Sequence, residues 1–107
     1  MKVAVTCECI KGKCTVSHHF GLAPLICIYE NGKEVERFLN PYIKAERRRG
    51  RSLVEYLIRK GVNVIVAPEA GGPGVTEAAL TYGVKIITKA PGTPVEEVLK
   101  EIFGALP

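Results

Sequence analysis

Apolar positions along the chain predict short strands first and then helices alternating with strands. Residues 2–6 and 24–29 are apolar runs typical of buried strands, and residues 33–39 begin with the polar–apolar alternation of a sheet-edge strand. Asn31 and Gly32, which separate the last two runs, are a strong signal for a two-residue hairpin turn. The first part of the chain therefore predicts three strands, the last two joined as a hairpin.

The rest of the chain alternates between helical and strand patterns. Apolar runs at residues 62–67 and 84–87 predict two further strands, and Gly61 and Gly83 are stop signals for the helices that precede them. Three helices are predicted from apolar stripes at helical spacing, formed by Leu53, Val54, Leu57 and Ile58, by Val75, Ala78, Ala79 and Tyr82, and by Val95, Val98, Leu99, Ile102 and Phe103. The order β-β-β-α-β-α-β-α predicts a single α/β domain over residues 1–107, with helices on the faces of a mixed five-stranded sheet whose second strand is antiparallel.

This topology predicts where a ligand would bind. Ligands of open α/β sheets lie beyond the carboxyl ends of the parallel strands, near the point at which strand order reverses. The connection over residues 7–23, the start of the first helix and the glycine-rich turn at residues 70–74 all belong to that edge. We therefore expect thiols, imidazoles, guanidiniums and a glycine turn to share one rim.

Length and composition narrow the class of protein. The 107 residues suffice for one domain with one core, and no apolar run approaches the ~20 residues that span a bilayer. The N-terminus turns polar too early for a signal peptide, so a cytoplasmic protein without a membrane segment is expected. The net charge of +4 favours anionic partners, and all 11 acidic residues are glutamate.

Three of the four cysteines, Cys7, Cys9 and Cys14, lie within eight residues of one another. A reducing cytoplasm would keep them as thiols, and thiolates are soft donors that suit copper(I), zinc and iron–sulfur species. We therefore predict that these three bind a metal; the alternatives are a thiol-rich surface loop and a Cys7–Cys14 disulfide. Cys27 stands in an apolar strand and is predicted to be buried and less reactive than the other three.

Two further features favour an anion. Gly71, Gly72 and Gly74 precede a predicted helix, where backbone N–H groups form a natural anion seat. Arg48 lies in a run of arginines at the start of another helix, which would offset the charge of an anionic cluster. The alternatives are a tight strand-to-helix turn for the glycines, and a solvated basic helix start or a nucleic-acid contact for the arginines. No Gly-Lys-Ser/Thr follows the glycines, which argues against nucleotide hydrolysis.

A known family signature of the form S/D-x-H-F-G-x-A is matched by Ser17-His18-His19-Phe20-Gly21-Leu22-Ala23. With Asn40-Pro41, the glycine-rich turn and Ala90-Pro91-Gly92-Thr93 in the same order, the chain resembles the dinitrogenase iron-molybdenum cofactor biosynthesis family, which includes NifX, NafY and the NifB C-terminal domain. The resemblance implies a three-layer, ribonuclease-H-like α/β/α fold. It also implies that His19 is a ligand. His18 is a second candidate, but on an extended segment the two side chains face opposite ways, so one binds while the other packs or meets solvent.

The resemblance implies a carrier for a metal–sulfur cluster or its precursor anion, of molybdenum–iron or molybdenum–copper type, which would exchange it with a donor or acceptor protein. The rival interpretation is a small zinc- or partner-binding module that uses the same cysteines and His19. A nuclease needs clustered hard carboxylates, and a chain without aspartate disfavours it, so we expect no enzyme and no nucleic-acid partner.

Overall fold

The computed structural model describes residues 1–104. Within them the chain forms six strands and three helices. In chain order these are β1 (Lys2–Ile10), β2 (Lys13–Val16), β3 (Leu25–Glu30), β4 (Lys33–Leu39), α1 (Arg49–Arg59), β5 (Val64–Ala67), α2 (Pro73–Tyr82), β6 (Lys85–Thr88) and α3 (Val95–Ile102). The mixed α/β class is therefore confirmed, whereas the ribonuclease-H-like classification stays a prediction.

The sheet has the order β4-β3-β1-β5-β6, and β2 pairs with β1 off this path. Strand β3, the second strand of the sequence prediction, is antiparallel to β1 as expected, while β1, β5 and β6 are mutually parallel. The predicted hairpin is confirmed, because Asn31 and Gly32 both have positive φ in the turn between β3 and β4. Strand order reverses at β1, since the chain builds β3 and β4 on one side of it and then β5 and β6 on the other.

The predicted count of five strands is wrong, because residues 7–23 are not a simple loop. Strand β1 continues to Ile10 and folds back through Lys11 and Gly12 into β2. Both turn residues have positive φ (50° and 81°), as the preferred two-residue hairpin turns require. Lysine is an uncommon residue at the first position of such a turn, so this hairpin signal was much weaker than Asn31-Gly32.

The buried residues form two apolar clusters, one on each face of the sheet. Helices α1 and α2 cover the face that carries Ala4 and Ile65, and α3 covers the face that carries Val5 and Val66. This gives three layers, and neighbouring residues of one strand lie in different clusters because side chains alternate along a strand. The apolar stripe predicted for α2 included Tyr82, but this residue is 57% exposed, and the buried residues of the helix are Val75, Ala78 and Ala79. None of the described helices is long and apolar enough to cross a membrane.

The glycine-rich turn between β5 and α2 is tightly packed. Gly71 has φ +79°, and a Cβ at this position would lie 2.8 Å from Cβ of Val75. Val75 is buried at the start of α2 and contacts the face covered by α1 and α2. The turn therefore requires glycine at Gly71 for two reasons, its backbone conformation and the space beside it.

The four cysteines are placed differently from the prediction. Cys7 and Cys27 are free thiols with no exposed surface, whereas Cys9 and Cys14 form a disulfide. Cys9 and Cys14 are directly opposite each other in the β1–β2 hairpin, with Cα atoms 4.0 Å apart. The expectation of Cys7 as an accessible loop thiol is wrong because β1 extends through it, and the disulfide pairs Cys14 with Cys9 instead of Cys7.

Gly71→Ala should destabilise the fold by about 2–5 kcal/mol, since it combines left-handed backbone strain of about 1–2 kcal/mol with overpacking of about 1–3 kcal/mol. Gly83→Ala is the matched control, because Gly83 also has positive φ but no atom would lie within 4 Å of its Cβ. That control should lose only about 1–2 kcal/mol. Urea unfolding measures both, and equal losses would show that Val75 moves aside freely.

Alkylation of native, oxidised protein should label none of the cysteines rapidly, since two are buried and two are disulfide-bonded. After reduction, Cys9 and Cys14 should react first, and Cys7 and Cys27 only on unfolding. Mass spectrometry of labelled peptides measures the order. Fast labelling of Cys7 in the folded protein would contradict its burial.

Candidate functional site

A pocket of about 380 Å³ lies at the switch point between β1 and β5, on the face covered by α1 and α2. Three chain segments line it: the loop after β2, the start of α1 and the turn between β5 and α2. The lining residues are Phe20, Gly21, Arg48, Gly50, Arg51, Glu69, Gly71, Gly72, Gly74 and Val75. The pocket thus lies at the carboxyl ends of parallel strands, where open α/β sheets bind ligands.

Two helix N-termini meet in this pocket. Helix α1 follows Arg48 and α2 follows Gly72, and neither helix has a side-chain cap or an acidic residue in its first turn. The first backbone N–H groups of a helix have no partner within that helix, so both starts direct partial positive charge into the same space. Gly50 allows the N-termini of α1 and α2 to lie close together, because a Cβ at this position would lie 2.7 Å from Cγ2 of Val75.

Arg48 has an uncommon backbone conformation. Its φ of 53° is in the left-handed region, which is disfavoured for a side chain of this size. Among residues 1–104, Lys11 and Asn31 are the other non-glycine residues with positive φ, and each belongs to a two-residue hairpin turn, whereas Arg48 does not. Such strain amounts to about 1–3 kcal/mol and is concentrated at functional sites.

The charges in the pocket are mixed but positive overall. Arg48 and Arg51 contribute two positive charges, and Glu69 contributes one negative charge. Together with the two helix starts, this balance favours an anion. No capping carboxylate occupies either helix start. At α2 the available N–H groups exclude Pro73, which has none, and Val75, whose N–H donates to the carbonyl oxygen of Gly72 (3.0 Å).

The segment before the pocket is held rigidly by three buried residues. Ser17 donates a hydrogen bond to the carbonyl oxygen of His19 (2.8 Å) and contacts Oγ1 of Thr6 at 2.9 Å. Phe20 packs into the core beneath α1 and α2. The side-chain amide of Asn40 donates to the carbonyl oxygen of Gly21 (3.0 Å). The chain between Ser17 and Gly21 is therefore fixed against the pocket wall.

The two histidines in this segment have different surroundings, although both are exposed. Nδ1 of His18 lies 3.1 Å from the carboxylate of Glu8, and hydrogen bonds from His18 lower the pKa of that carboxyl. The ring of His19 makes no hydrogen bond within residues 1–104, and His19 directly precedes the lining residues Phe20 and Gly21. His19 is therefore the imidazole without a hydrogen-bond partner among these residues, but it is not one of the residues that line the pocket.

The sulfur atoms gather on the opposite face of the sheet. Sγ of Cys7 and Sγ of Cys27 are 3.1 Å apart, and both belong to the cluster beneath α3. Sγ of Cys9 lies within 4.8 Å of each of them. Sequence reasoning placed Cys27 in the core but could not find its neighbours, because they depend on the register between β1 and β3.

The contact between Cys7 and Cys27 shifts the pKa values of the two thiols in opposite directions. The hydrogen bond with Cys27, supported by burial, raises the pKa of Cys7 well above its usual range. The same hydrogen bond lowers the pKa of Cys27, with a smaller contribution from the positive charge of Arg37. Nη1 of Arg37 also lies 3.7 Å from Sγ of Cys9, so a guanidinium borders the sulfur cluster. No sequence pattern indicated this role for Arg37.

The single rim expected from the sequence is therefore divided into two sites. The glycine turn, Arg48 and the Phe20-Gly21 segment line the pocket, whereas His19 precedes Phe20 in sequence and does not line it. Cys7 and Cys9 lie with Cys27 on the other face of the same strands. Ligand roles for His18, His19, Cys7, Cys9 and Cys14 stay predictions.

Comparison with known proteins identifies similar folds. The apo form of the orange protein from Desulfovibrio gigas superposes with a TM-score of 0.81 and 22% identity, over 99% of this chain and 90% of that one. A putative NifB protein from Thermotoga superposes with a TM-score of 0.72 and 26% identity, over 96% of this chain and 88% of that one. A search of curated proteins finds no match.

The family match covers nearly the whole chain. Residues 1–104 match the family described as dinitrogenase iron-molybdenum cofactor. This range includes the pocket, the histidine segment and all four cysteines. The chain therefore belongs to the dinitrogenase iron-molybdenum cofactor family.

Proposed function

We propose that this protein binds and carries an anionic metal–sulfur cluster, or its precursor, in the pocket between the starts of α1 and α2. The observation that supports this most strongly is the convergence of two uncapped helix N-termini with Arg48 and Arg51 in a space of about 380 Å³. A volume of this size is within the range of roughly 300–1,000 Å³ typical of ligand sites. Backbone N–H groups and guanidiniums suit a cluster with delocalised negative charge.

The family membership supports the identity of the anion. The family is described by the iron-molybdenum cofactor, and a putative NifB protein is among the similar structures. We therefore propose a cluster of molybdenum–iron or molybdenum–copper type. Because such a cluster is cargo for a carrier, a donor and an acceptor protein are proposed as its partners.

His19 is the proposed ligand from the histidine segment. Its main chain is held by Ser17 and by the burial of Phe20, while its ring is exposed. A fixed backbone with a free imidazole limits the entropy lost when a metal is bound. His18, which contacts Glu8, is less available for this role.

We propose carriage without catalysis. Two-metal hydrolysis requires several carboxylates around the reacting atoms, and within residues 1–104 Glu69 is the one acidic residue that lines the pocket. The negative charge of Glu69 lowers the affinity of the pocket for an anion, but less than Arg48 and Arg51 raise it. The resulting moderate affinity suits a cargo that must be released.

Opposite charge changes should move the affinity for tetrathiomolybdate in opposite directions. Arg48→Ala should weaken binding about two- to fivefold at low salt, as expected for an exposed charge. Glu69→Gln should strengthen binding by a similar factor. Both effects should fade as salt rises, since the screening length falls to about 10 Å at 0.1 M.

Arg59→Ala is the matched control, because Arg59 is an exposed arginine at the far end of α1. Visible absorbance titration of tetrathiomolybdate against apo-protein gives the dissociation constants. An equal loss in Arg48→Ala and Arg59→Ala would show that only net charge attracts the anion, and would overturn the pocket assignment.

His19→Ala should reduce cluster occupancy at every salt concentration, because a coordination bond is not screened by ions. His18→Ala is the control and should retain binding. Elemental analysis of anaerobically loaded protein measures occupancy. Binding by His19→Ala equal to that of the unmodified protein would remove His19 from the site.

A further inference from the structure

A second site is suggested by the arrangement of three sulfur atoms beneath α3. Cys7 and Cys9 lie on one face of β1 because side chains alternate along a strand. The antiparallel register pairs Cys7 with Leu25 and Val5 with Cys27, which brings Cys27 to the same face beside Cys7. All three Sγ atoms lie within 4.8 Å of one another.

The three sulfurs are near enough to reach one metal ion, although Sγ of Cys7 and Sγ of Cys27, now 3.1 Å apart, must separate by about 1 Å to form a regular three-coordinate metal–thiolate centre. Metal–thiolate bonds of about 2.3 Å place the sulfurs of a trigonal site about 4 Å apart. Within residues 1–104 the group contains three donors, all of them sulfur. Structural zinc almost always takes four ligands, whereas soft thiolates also select copper(I).

The disulfide controls whether the third sulfur is available. Sγ of Cys9 is bonded to Sγ of Cys14, so Cys9 has no thiolate to offer in the oxidised protein. Cys7 and Cys27 are already free thiols. Reduction of this one bond would therefore complete the donor set on strands that already place the three sulfurs within 4.8 Å of one another.

We propose that Cys7, Cys9 and Cys27 form a copper(I) site that opens when the Cys9–Cys14 disulfide is reduced. A dithiol reductant supplies two electrons and two protons, the S–S bond breaks, Cys9 and Cys14 become thiols, and the reductant becomes a disulfide. Copper(I) then forms three bonds to sulfur and releases three protons, with no change in its oxidation state. Cys14 acts as the gate and is not a ligand.

Residues around the three cysteines give copper(I) a route to the sulfurs and offset part of the negative charge of the centre. Cys7 and Cys27 are fully buried, but Cys9 is half-buried and its disulfide partner Cys14 lines a groove of about 510 Å³ at the start of α3. Three thiolates and copper(I) carry a net charge of −2. Arg37 lines the same groove and lies 3.7 Å from Cys9, so its guanidinium offsets part of this charge.

The test uses two variants that both lack the disulfide but differ in the donor set. Cys14→Ser keeps all three proposed ligands, whereas Cys9→Ser removes one of them. Anaerobic titration with copper(I) in competition with bicinchoninate measures affinity, and X-ray absorption counts the sulfur ligands. The unmodified protein is measured oxidised, and again after dithiothreitol treatment and removal of the reductant.

Reduced protein and untreated Cys14→Ser should each bind one copper(I) through three sulfurs, and oxidised protein should not. Cys9→Ser should lose more affinity than the roughly 10–100-fold that loss of an outer-shell partner causes. Arg37→Ala, an outer-shell change, should fall within that range. Circular dichroism confirms that the variants fold.

Equal copper(I) binding by oxidised and reduced protein, or by Cys9→Ser and Cys14→Ser, would overturn the proposal. So would a copper(I) centre with four sulfur ligands that Cys14→Ser abolishes, because Cys14 would then be a ligand. The proposal does not rest on the anion pocket, which lies on the other face of the sheet. Copper(I) binding should therefore be unchanged in Arg48→Ala, and tetrathiomolybdate binding should be unchanged in Cys9→Ser.

Discussion

Strand β1 hydrogen-bonds in parallel to β5 on one side and antiparallel to β3 on the other, and this double pairing determines where the functional groups lie. The chain reverses its strand order there, so the loops after β2 and β5 and the start of α1 meet at one edge. The same pairing buries β1 on both faces. Alternate side chains then reach different helices, and the anion pocket and the sulfur cluster develop on opposite sides of one strand.

The two sites differ in the physical basis of their selectivity. In the proposed anion pocket, the partial and full positive charges are exposed or half-exposed, an arrangement that would let an anion enter and leave. The sulfur cluster relies on soft donors, two of which have no exposed surface, so a bound ion would be held by coordination and protected from water. An anionic cargo and a soft cation therefore need not compete for the same residues.

Local restraint is concentrated where the chain approaches the pocket. Gly71 is fixed by Val75, the histidine segment is fixed by Ser17 and Asn40, and Arg48 is held in a left-handed conformation. Each restraint orients polar groups before any ligand arrives. Orientation in advance reduces the entropy that binding must overcome, so these restraints would favour ligand binding at the proposed site.

The sequence by itself determined the α/β class, the Asn31-Gly32 hairpin, the buried β5 and the pocket edge, because hydrophobic period and turn residues are local properties. It also singled out Gly71, Gly72, Gly74 and Arg48. Only the tertiary structure decided the β1–β2 hairpin, the Cys9–Cys14 disulfide and the contact of Cys27 with Cys7. These features depend on strand register, and register arises from long-range pairing that no local pattern specifies.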